Sequence, residues 1–237
     1  MKSVVFNADD LGLSDLTDNG IVDCARNGVV KSASLMISSS IANRSYEKAV
    51  NSGISVGLHL DVTTLSKLLN GKVGKALSGN VRLNEEELDL VIEEFRRQLD
   101  LYVKTFRKLP DHINHHHPLY VIPGFTKKFK DWVCETKIPT RWFRDLGLID
   151  IKHPDYTEFQ FYEKENLTLN KLIKMVSNFP DGVSEIMTHP GMKDVGMESV
   201  YIEERPIQVK ILTDSRLKDY LSYKGIKITD FYQLYGV

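Results

Sequence analysis

The chain has 237 residues, of which 42% are hydrophobic, so it can bury a large core, and at this length an α/β barrel still forms one domain. We therefore expect a single domain over residues 1–237. The 31 basic and 32 acidic residues nearly cancel, which argues against binding to nucleic acid or to an anionic membrane and favours a small or neutral partner.

Neither the N-terminus nor the cysteines indicate secretion. Residues 1–10 lack the long apolar stretch of a signal peptide, and no run approaches the roughly 20 apolar residues of a membrane helix. The two cysteines, Cys24 and Cys134, show no C-x-x-C spacing, so we interpret both as small buried hydrophobic residues rather than as a disulfide or a zinc site. The sequence therefore predicts a cytoplasmic protein.

Short β-rich runs alternate along the chain with longer segments of helical periodicity. Residues 3–8 predict a buried strand, and a helix follows over 14–28 with Ser14 as its N-cap and Gly28 at its end. Further helices are predicted over 43–53, 84–108, 124–137 and 167–179. Further strands are predicted over 32–39, 54–62, 112–117, 139–149, 183–189 and 225–231. Such strict alternation favours an α/β fold in which helices cover a parallel sheet.

The stretch from Thr63 to Val81 is the least periodic part of the chain. It is rich in Gly, Lys, Leu and Ser, and we interpret it as a long loop. Long loops in compact domains are often functional lids, although a plain surface excursion explains the composition equally well.

Ionisable side chains fall repeatedly where predicted strands end. They are Asp9 and Asp10 at the end of the first strand, His59 near the end of the third, His112, His115, His116 and His117 in the next, Arg141 and Arg144 in the strand after it, and His189 at the end of the strand over 183–189. The carboxyl ends of parallel strands meet at one edge of an α/β sheet, where ligands bind. We therefore expect these groups to converge on one pocket.

Each of these residues also has a purely structural interpretation. An aspartate after a strand can cap the next helix, but two adjacent carboxylates, Asp9 and Asp10, need a cation or a shared proton to coexist. Single histidines such as His59 and His189 can be satisfied core residues. His153 is interpreted as an ordinary surface residue.

Strand geometry limits how many of the three consecutive histidines can share a ligand. Neighbouring side chains point to opposite faces of a strand, so His116 faces one side while His115 and His117 face the other. One aspartate and two histidines from different strands leave coordination positions open, as expected of a catalytic metal. Mixed nitrogen and oxygen donors suit zinc, manganese, cobalt or iron, and magnesium less naturally.

Four motifs carry a resemblance to a known family. They are NADDLGLS at 7–14, GLHLDVT at 57–63, HINHHHPLYVIP at 112–123 and EIMTHPG at 185–191. Together with the closing segment over 212–234, they resemble the YdjC-like family of carbohydrate deacetylases, which includes bacterial chitooligosaccharide deacetylases. The resemblance spans the chain.

The resemblance implies an irregular parallel (β/α) barrel, TIM-barrel-like and of the polysaccharide-deacetylase type. It also implies one divalent metal ion, Mg²⁺ or Zn²⁺, and an N-acetylated mono- or oligosaccharide as substrate. Carried over by position, with Pro123 fixing the alignment of the histidine cluster, the metal ligands are Asp10, His59 and His116. The catalytic residues are Asp9 as base, His189 as acid and Arg141 as the group that holds Asp9 ionised and oriented.

The chain departs from the family pattern in the histidine cluster. Asn114 stands where the family usually has an aspartate, and Pro118 and Tyr120 stand where it has further histidines. These changes affect the support of the metal ligands and the edge that contacts the sugar. Two alternatives stay open: a metal-dependent phosphoesterase on a β/α barrel, and a non-catalytic sugar-binding or regulatory protein with this fold. The oligomeric state is also open, with a homodimer as one option.

Overall fold

The structure is a computed structural model that describes residues 1–63, 65, 69, 71–141, 151–196 and 201–236. Within these ranges, seven parallel strands form one sheet. The strands are β1 (Lys2–Leu11), β2 (Ser32–Leu35), β3 (Ser55–Leu60), β4 (Ile113–His115), β5 (Tyr156–Glu158), β6 (Gly182–Thr188) and β7 (Lys227–Thr229).

Helices connect these strands, as the alternation in the sequence predicts. They are α1 (Asp15–Asn27), α2 (Ala42–Val50), α3 (Lys72–Leu77), α4 (Glu85–Phe106), α5 (Phe125–Thr136), α6 (Leu169–Ser177), α7 (Glu204–Leu212), α8 (Ser215–Tyr223) and α9 (Phe231–Tyr235). The predicted N-cap Ser14 accepts a hydrogen bond from the Thr17 N–H. In the described part of the chain, no helix combines the length and apolarity needed to cross a membrane.

The strand order places β1 at the centre of the sheet. The order is β4-β3-β2-β1-β6-β5, and β7 pairs with the first half of β1 through Ser3 and Lys227. Because every pairing is parallel, the carboxyl ends of all strands lie at the same edge. The sheet curls into a half-barrel covered by helices, so the predicted α/β fold of the (β/α)-barrel type is confirmed.

Apolar runs in the strands reflect burial of both faces of the sheet. In β1 the fully buried apolar residues are Val4, Val5, Phe6, Ala8 and Leu11, the pattern expected of a strand covered on both sides. On one side, α4 packs on α5 through an aromatic cluster formed by Phe95, Phe125, Phe129 and Trp132. This core fixes the strand ends that carry the ionisable residues.

Two predicted elements are shorter than the sequence pattern indicates. The second strand ends at Leu35 instead of residue 39, because the chain turns there: the Ser39 N–H bonds the Met36 carbonyl and its hydroxyl donates to the Gly12 carbonyl. The predicted long loop over 63–81 contains α3, whose Val73 and Ala76 are buried. The interpretation of that segment as a loop alone is therefore wrong.

Other predictions have mixed outcomes. Most of the strand predicted over 139–149 lies outside the described residues, but Thr140 forms a parallel bridge with Ile113 beside β4. Cys24 is buried as predicted, whereas Cys134 is only partly buried against the core; both are free thiols. His153 is half-buried rather than fully exposed.

Candidate metal centre

A β-bulge near the end of β1 sets the positions of Asp9 and Asp10. The pairing with β2 passes from Ala8↔Ala33 to Leu11↔Leu35, so β1 has one extra residue over this stretch. Asp10 has a φ of 68°, in the left-handed region that residues other than glycine rarely adopt. Bulges and backbone outliers of this kind cluster at functional sites. The bulge buries two consecutive carboxylates and gives them different partners.

Asp10, His59 and His116 meet at the carboxyl edge of the sheet. The Asp10 Oδ1 atom lies 3.2 Å from His59 Nε2 and 2.8 Å from His116 Nδ1. One ligand atom from each residue lies within 4.8 Å of the others. Asp10 and His59 are buried and the His116 side chain is 24% exposed. The three residues that the resemblance implies as metal ligands thus lie close together, although they come from three different parts of the chain.

The hydrogen bonds around His59 leave one of its nitrogens ready for a cation. Asn114 Nδ2 donates to Ser34 Oγ at 2.7 Å, which fixes the amide so that Asn114 Oδ1 faces His59 Nδ1 at 2.6 Å. In the neutral form of the ring, the form that binds a metal, this places the proton on Nδ1 and the lone pair on Nε2. Nε2 has no hydrogen-bond partner among the described residues, and it faces the Asp10 carboxylate.

A lone pair and a carboxylate oxygen at this distance repel each other unless a cation or a second histidine proton lies between them. A hydrogen bond that orients the ring of a ligating histidine is the usual support of a metal site. Without a metal ion, Asp10 is balanced by His116: burial alone would lower the pKa of His116, but Asp10 raises it to about 9. The donor set therefore fits a divalent ion.

Arg205, which the sequence analysis did not identify, also binds Asp10. It lies in α7 and is 1% exposed, and its Nη2 donates to Asp10 Oδ2 at 2.6 Å. The two oxygens of Asp10 thus have separate roles, with Oδ1 facing the histidines and Oδ2 facing the arginine. An arginine on a helix 195 positions from its partner has no local sequence signal that could reveal the contact.

Asp9 forms a second buried ion pair beside the first. Arg141 donates to both of its oxygens and also to Glu185 Oε1, through Nε at 2.9 Å. Burial would raise the pKa of Asp9, but the Arg141 guanidinium outweighs it and holds the pKa well below the usual range. For Glu185 burial dominates, and its pKa is raised despite Arg141. Asp9 is therefore ionised at neutral pH.

His189 follows the end of β6 and is buried. Its backbone N–H donates to Gln208 Oε1 at 2.7 Å, and Nδ1 has no partner in the described part of the chain. Burial lowers the pKa of His189 to about 4, so the ring is neutral at neutral pH. It lines a cleft with residues that include His116, Tyr120, Arg141, Phe159, Tyr162, Met187 and Tyr201.

The remaining histidines of the cluster are not part of the Asp10–His59–His116 set, although His115 and His117 line the same cleft; β4 ends at His115, so strand alternation does not apply to His116 and His117. His115 lies edge-on to Phe125 and Phe129 in the core, and its Nδ1 lies 2.5 Å from the His117 carbonyl oxygen. His117 is partly exposed, with Nε2 4.0 Å from Asp61 Oδ1. His112 is buried beneath the site, 3.0 Å from Ser34 Oγ. Arg144 lies outside the described residues.

Comparisons with known proteins agree with this architecture. A chitooligosaccharide deacetylase of Yersinia enterocolitica is 27% identical over 97% of this chain and 98% of its own. The crystal structure of a putative cellobiose-phosphate cleavage protein from Enterococcus faecalis superposes with a TM-score of 0.79 at 24% identity, covering 98% of each chain. The polysaccharide deacetylase Bc1974 from Bacillus cereus shares the fold, with a TM-score of 0.57 at 13% identity, over 99% of this chain and 94% of that one.

The family model described as YdjC-like protein matches residues 3–223. This range contains all three residues of the Asp10–His59–His116 set and also Asp9, Arg141, His189 and Arg205. The chain belongs to the YdjC-like protein family.

Proposed function

We propose that the protein is a metal-dependent hydrolase that removes the N-acetyl group from amino sugars or short oligosaccharides. The observation that carries the proposal is the convergence of Asp10, His59 and His116 on one point, with the His59 lone pair facing Asp10. The chitooligosaccharide deacetylase activity named for the Yersinia relative supplies the substrate class.

The metal, for which we propose Mg²⁺ or Zn²⁺, would be held by Asp10 Oδ1, His59 Nε2 and His116 Nδ1. A divalent ion in such a site acts as a Lewis acid toward a carbonyl oxygen and makes water more acidic. An acetamide resists hydrolysis because its carbonyl is weakly electrophilic and its amine leaves poorly, so an enzyme must assist both.

Asp9 is the proposed general base. Its two oxygens are held by Arg141 at 2.7 Å each, and this pairing keeps the carboxylate ionised and fixed beside Asp10. A carboxylate with a lowered pKa is a weak base, so Asp9 would depend on a bound divalent ion to make the water more acidic. Arg141 is thus proposed to position Asp9 rather than to contact the substrate.

His189 is the proposed general acid at the amine. Because burial makes the ring neutral in the resting site, the histidine must take up a proton during the reaction before it donates one. Its ring packs 4.9 Å from Tyr201 and 6.1 Å from Tyr162, measured between ring centroids. These aromatic rings line the cleft and are proposed to face the sugar, as in most small-molecule pockets.

A two-metal phosphoesterase requires further acidic ligands around a second ion. The carboxylates of Asp9 and Glu185 are already paired with Arg141, so neither is available to bridge two metals. These pairings therefore favour a site for one ion over a two-metal phosphoesterase site.

The test is a substrate panel assayed with chelator-treated protein and with the same protein given Mg²⁺, Mn²⁺, Co²⁺ or Zn²⁺. Acetate release from N-acetylglucosamine and its short oligomers, dependent on an added ion, is the expected result. Hydrolysis of a generic phosphodiester without acetate release would instead support a phosphoesterase. Tight sugar binding without turnover would support a binding protein.

A further inference from the structure

The side chain of Arg205 is a buried cation whose one hydrogen-bonded partner in the described residues is Asp10. Its Nη2 donates to Asp10 Oδ2 at 2.6 Å, whereas Nε and Nη1 make no hydrogen bond there. A buried charge is costly unless it is paired. The guanidinium carbon also lies 5.9 Å from the Tyr201 ring centroid, and Asp10 is the anion that compensates the buried charge.

Close packing of two glycines brings Arg205 near Asp10. A Cβ atom on Gly20 in α1 would lie 2.4 Å from the Gly191 Cα, and a Cβ atom on Gly191 would lie 3.0 Å from the Arg205 Cδ. The Gly191 N–H also bonds the Arg205 carbonyl at 3.4 Å. The glycine of the HPG motif thus leaves the space through which the arginine side chain passes.

We propose that Arg205 is a positioning residue that sets the affinity of the Asp10 site for divalent ions. By binding Oδ2, it presents Oδ1 alone to the two histidines and restricts Asp10 to one donor atom. Its positive charge also cancels most of the charge of Asp10, so a bound divalent ion experiences less attraction than the carboxylate alone would provide. This inference rests on the proposed metal site and adds a residue that controls it.

Removal of Arg205 is expected to change the affinity for the ion and the stability of the metal-free protein in opposite directions. Two charges a few ångströms apart in a partly buried site interact strongly even at an effective dielectric constant of about 20. Asp10 remains held by the bulge in β1. Removal of the arginine is therefore expected to strengthen ion binding through charge while it weakens the metal-free fold, because the buried Asp10 carboxylate loses one of its two cationic partners.

The experiment measures the dissociation constant for Mn²⁺ by calorimetry, and the thermal midpoint with chelator, for wild type, Arg205→Met, Arg205→Gln and Arg205→Lys. We expect both neutral variants to bind Mn²⁺ at least about tenfold more tightly and to melt at a lower temperature without the ion. Because Arg205 reaches Asp10 through a single nitrogen, Arg205→Lys keeps the charge and should stay within about threefold of wild type in affinity. Arg44→Met, at an exposed arginine paired with Asp15, is the matched control and should change neither value.

The outcomes separate this inference from the proposed function. Failure of the wild type to bind any divalent ion would contradict the metal site itself. A wild type that binds, together with Arg205→Gln that binds equally or more weakly, would overturn the role of Arg205. If Arg205→Met does not fold, the glutamine variant, which keeps a donor for Asp10, decides the question.

Discussion

Arg141 binds Asp9 through both carboxylate oxygens, with Nη1–Oδ2 and Nη2–Oδ1 distances of 2.7 Å each. Both side chains are buried, and Asn7 Nδ2 adds a further donor to Asp9 Oδ1 at 2.8 Å. A carboxylate fixed by a two-pronged contact of this kind keeps one orientation and one charge state. Asp10 next to it has a different arginine, so the two adjacent carboxylates are held independently.

Asp9→Asn should separate proton transfer from ion binding. The amide keeps the size of the side chain but cannot accept a proton, so we expect kcat/KM to fall by at least about 10²-fold with the metal content unchanged. Steady-state acetate release and elemental analysis of the same sample measure both. Asp111→Asn is the control, because Asp111 is a buried carboxylate at the opposite edge of the sheet, bonded to Ser55 Oγ at 2.8 Å; its kcat/KM should be unchanged. Loss of the ion in Asp9→Asn would make Asp9 a ligand.

Asn114→Ala should weaken ion binding without touching a ligand. Asn114 Oδ1 lies 2.6 Å from His59 Nδ1 and orients the ring, and loss of such a contact behind a metal ligand typically costs about 10- to 100-fold in metal affinity. Calorimetric titration with Mn²⁺ measures the change. Unaltered affinity would show that the tautomer of His59 is set by something other than Asn114.

His189→Ala should keep the ion, and its loss of activity should be larger for an amide substrate than for an ester. An amine needs a proton to depart from an amide, whereas an alkoxide leaving group in an ester needs less help. We expect a loss of at least about 10²-fold for the acetamide and a much smaller loss for an acetate ester of the same sugar. Equal losses for both substrates would remove His189 from the acid role, and His117 would become the next candidate.

The low pKa of buried His112 should make the free energy of unfolding depend on pH. Burial, followed by the charge of Arg141, lowers its pKa from 6.5 to about 3 in the folded protein. Between these values the unfolded chain binds a proton and the folded chain does not, so stability decreases as the pH falls from about 7 toward 3. His112→Gln removes this effect while it retains a polar group opposite Ser34.

Urea unfolding in chelator at pH 7 and pH 5 tests this expectation. The loss of unfolding free energy between the two values should be about 2 kcal/mol smaller in His112→Gln than in wild type. The comparison uses the difference between pH values, so a general loss of stability in the variant cancels. The same pH dependence in both proteins would contradict the assignment to His112.

The fold could be predicted from the sequence because it depends on local patterns, whereas the set of Asp10, His59 and His116 was implied by the family resemblance; the structure brings these three side chains together, and their role as ligands stays a prediction. Alternating strands and helices predicted the parallel sheet. The bulge at Asp10 could not be predicted, because it depends on how β1 pairs with β2. The same holds for Arg205, whose contact with Asp10 arises from tertiary packing of α7, and for the neutral state of His189, which depends on burial.

The early end of β2 could not be predicted from the sequence for a different reason. Residues 36–39 have strand-like composition, but the hydroxyl of Ser39 bonds the Gly12 carbonyl at 2.6 Å and the chain turns. Side-chain bonds to the backbone compete with strand pairing only when the partner is nearby in the fold. Such a partner cannot be identified from the sequence before the topology is known.

Asp10, His59 and His116 are proposed to hold one divalent ion. Anomalous diffraction from crystals soaked in Zn²⁺ or Mn²⁺ is the most direct test of this site. We expect one anomalous peak within about 2.0–2.3 Å of Asp10 Oδ1, His59 Nε2 and His116 Nδ1, in the range of metal–ligand bonds, with Asp10 Oδ2 still bonded to Arg205. A peak bound by His115 or His117 in place of His116, or no peak between these side chains at saturating metal, would contradict the account.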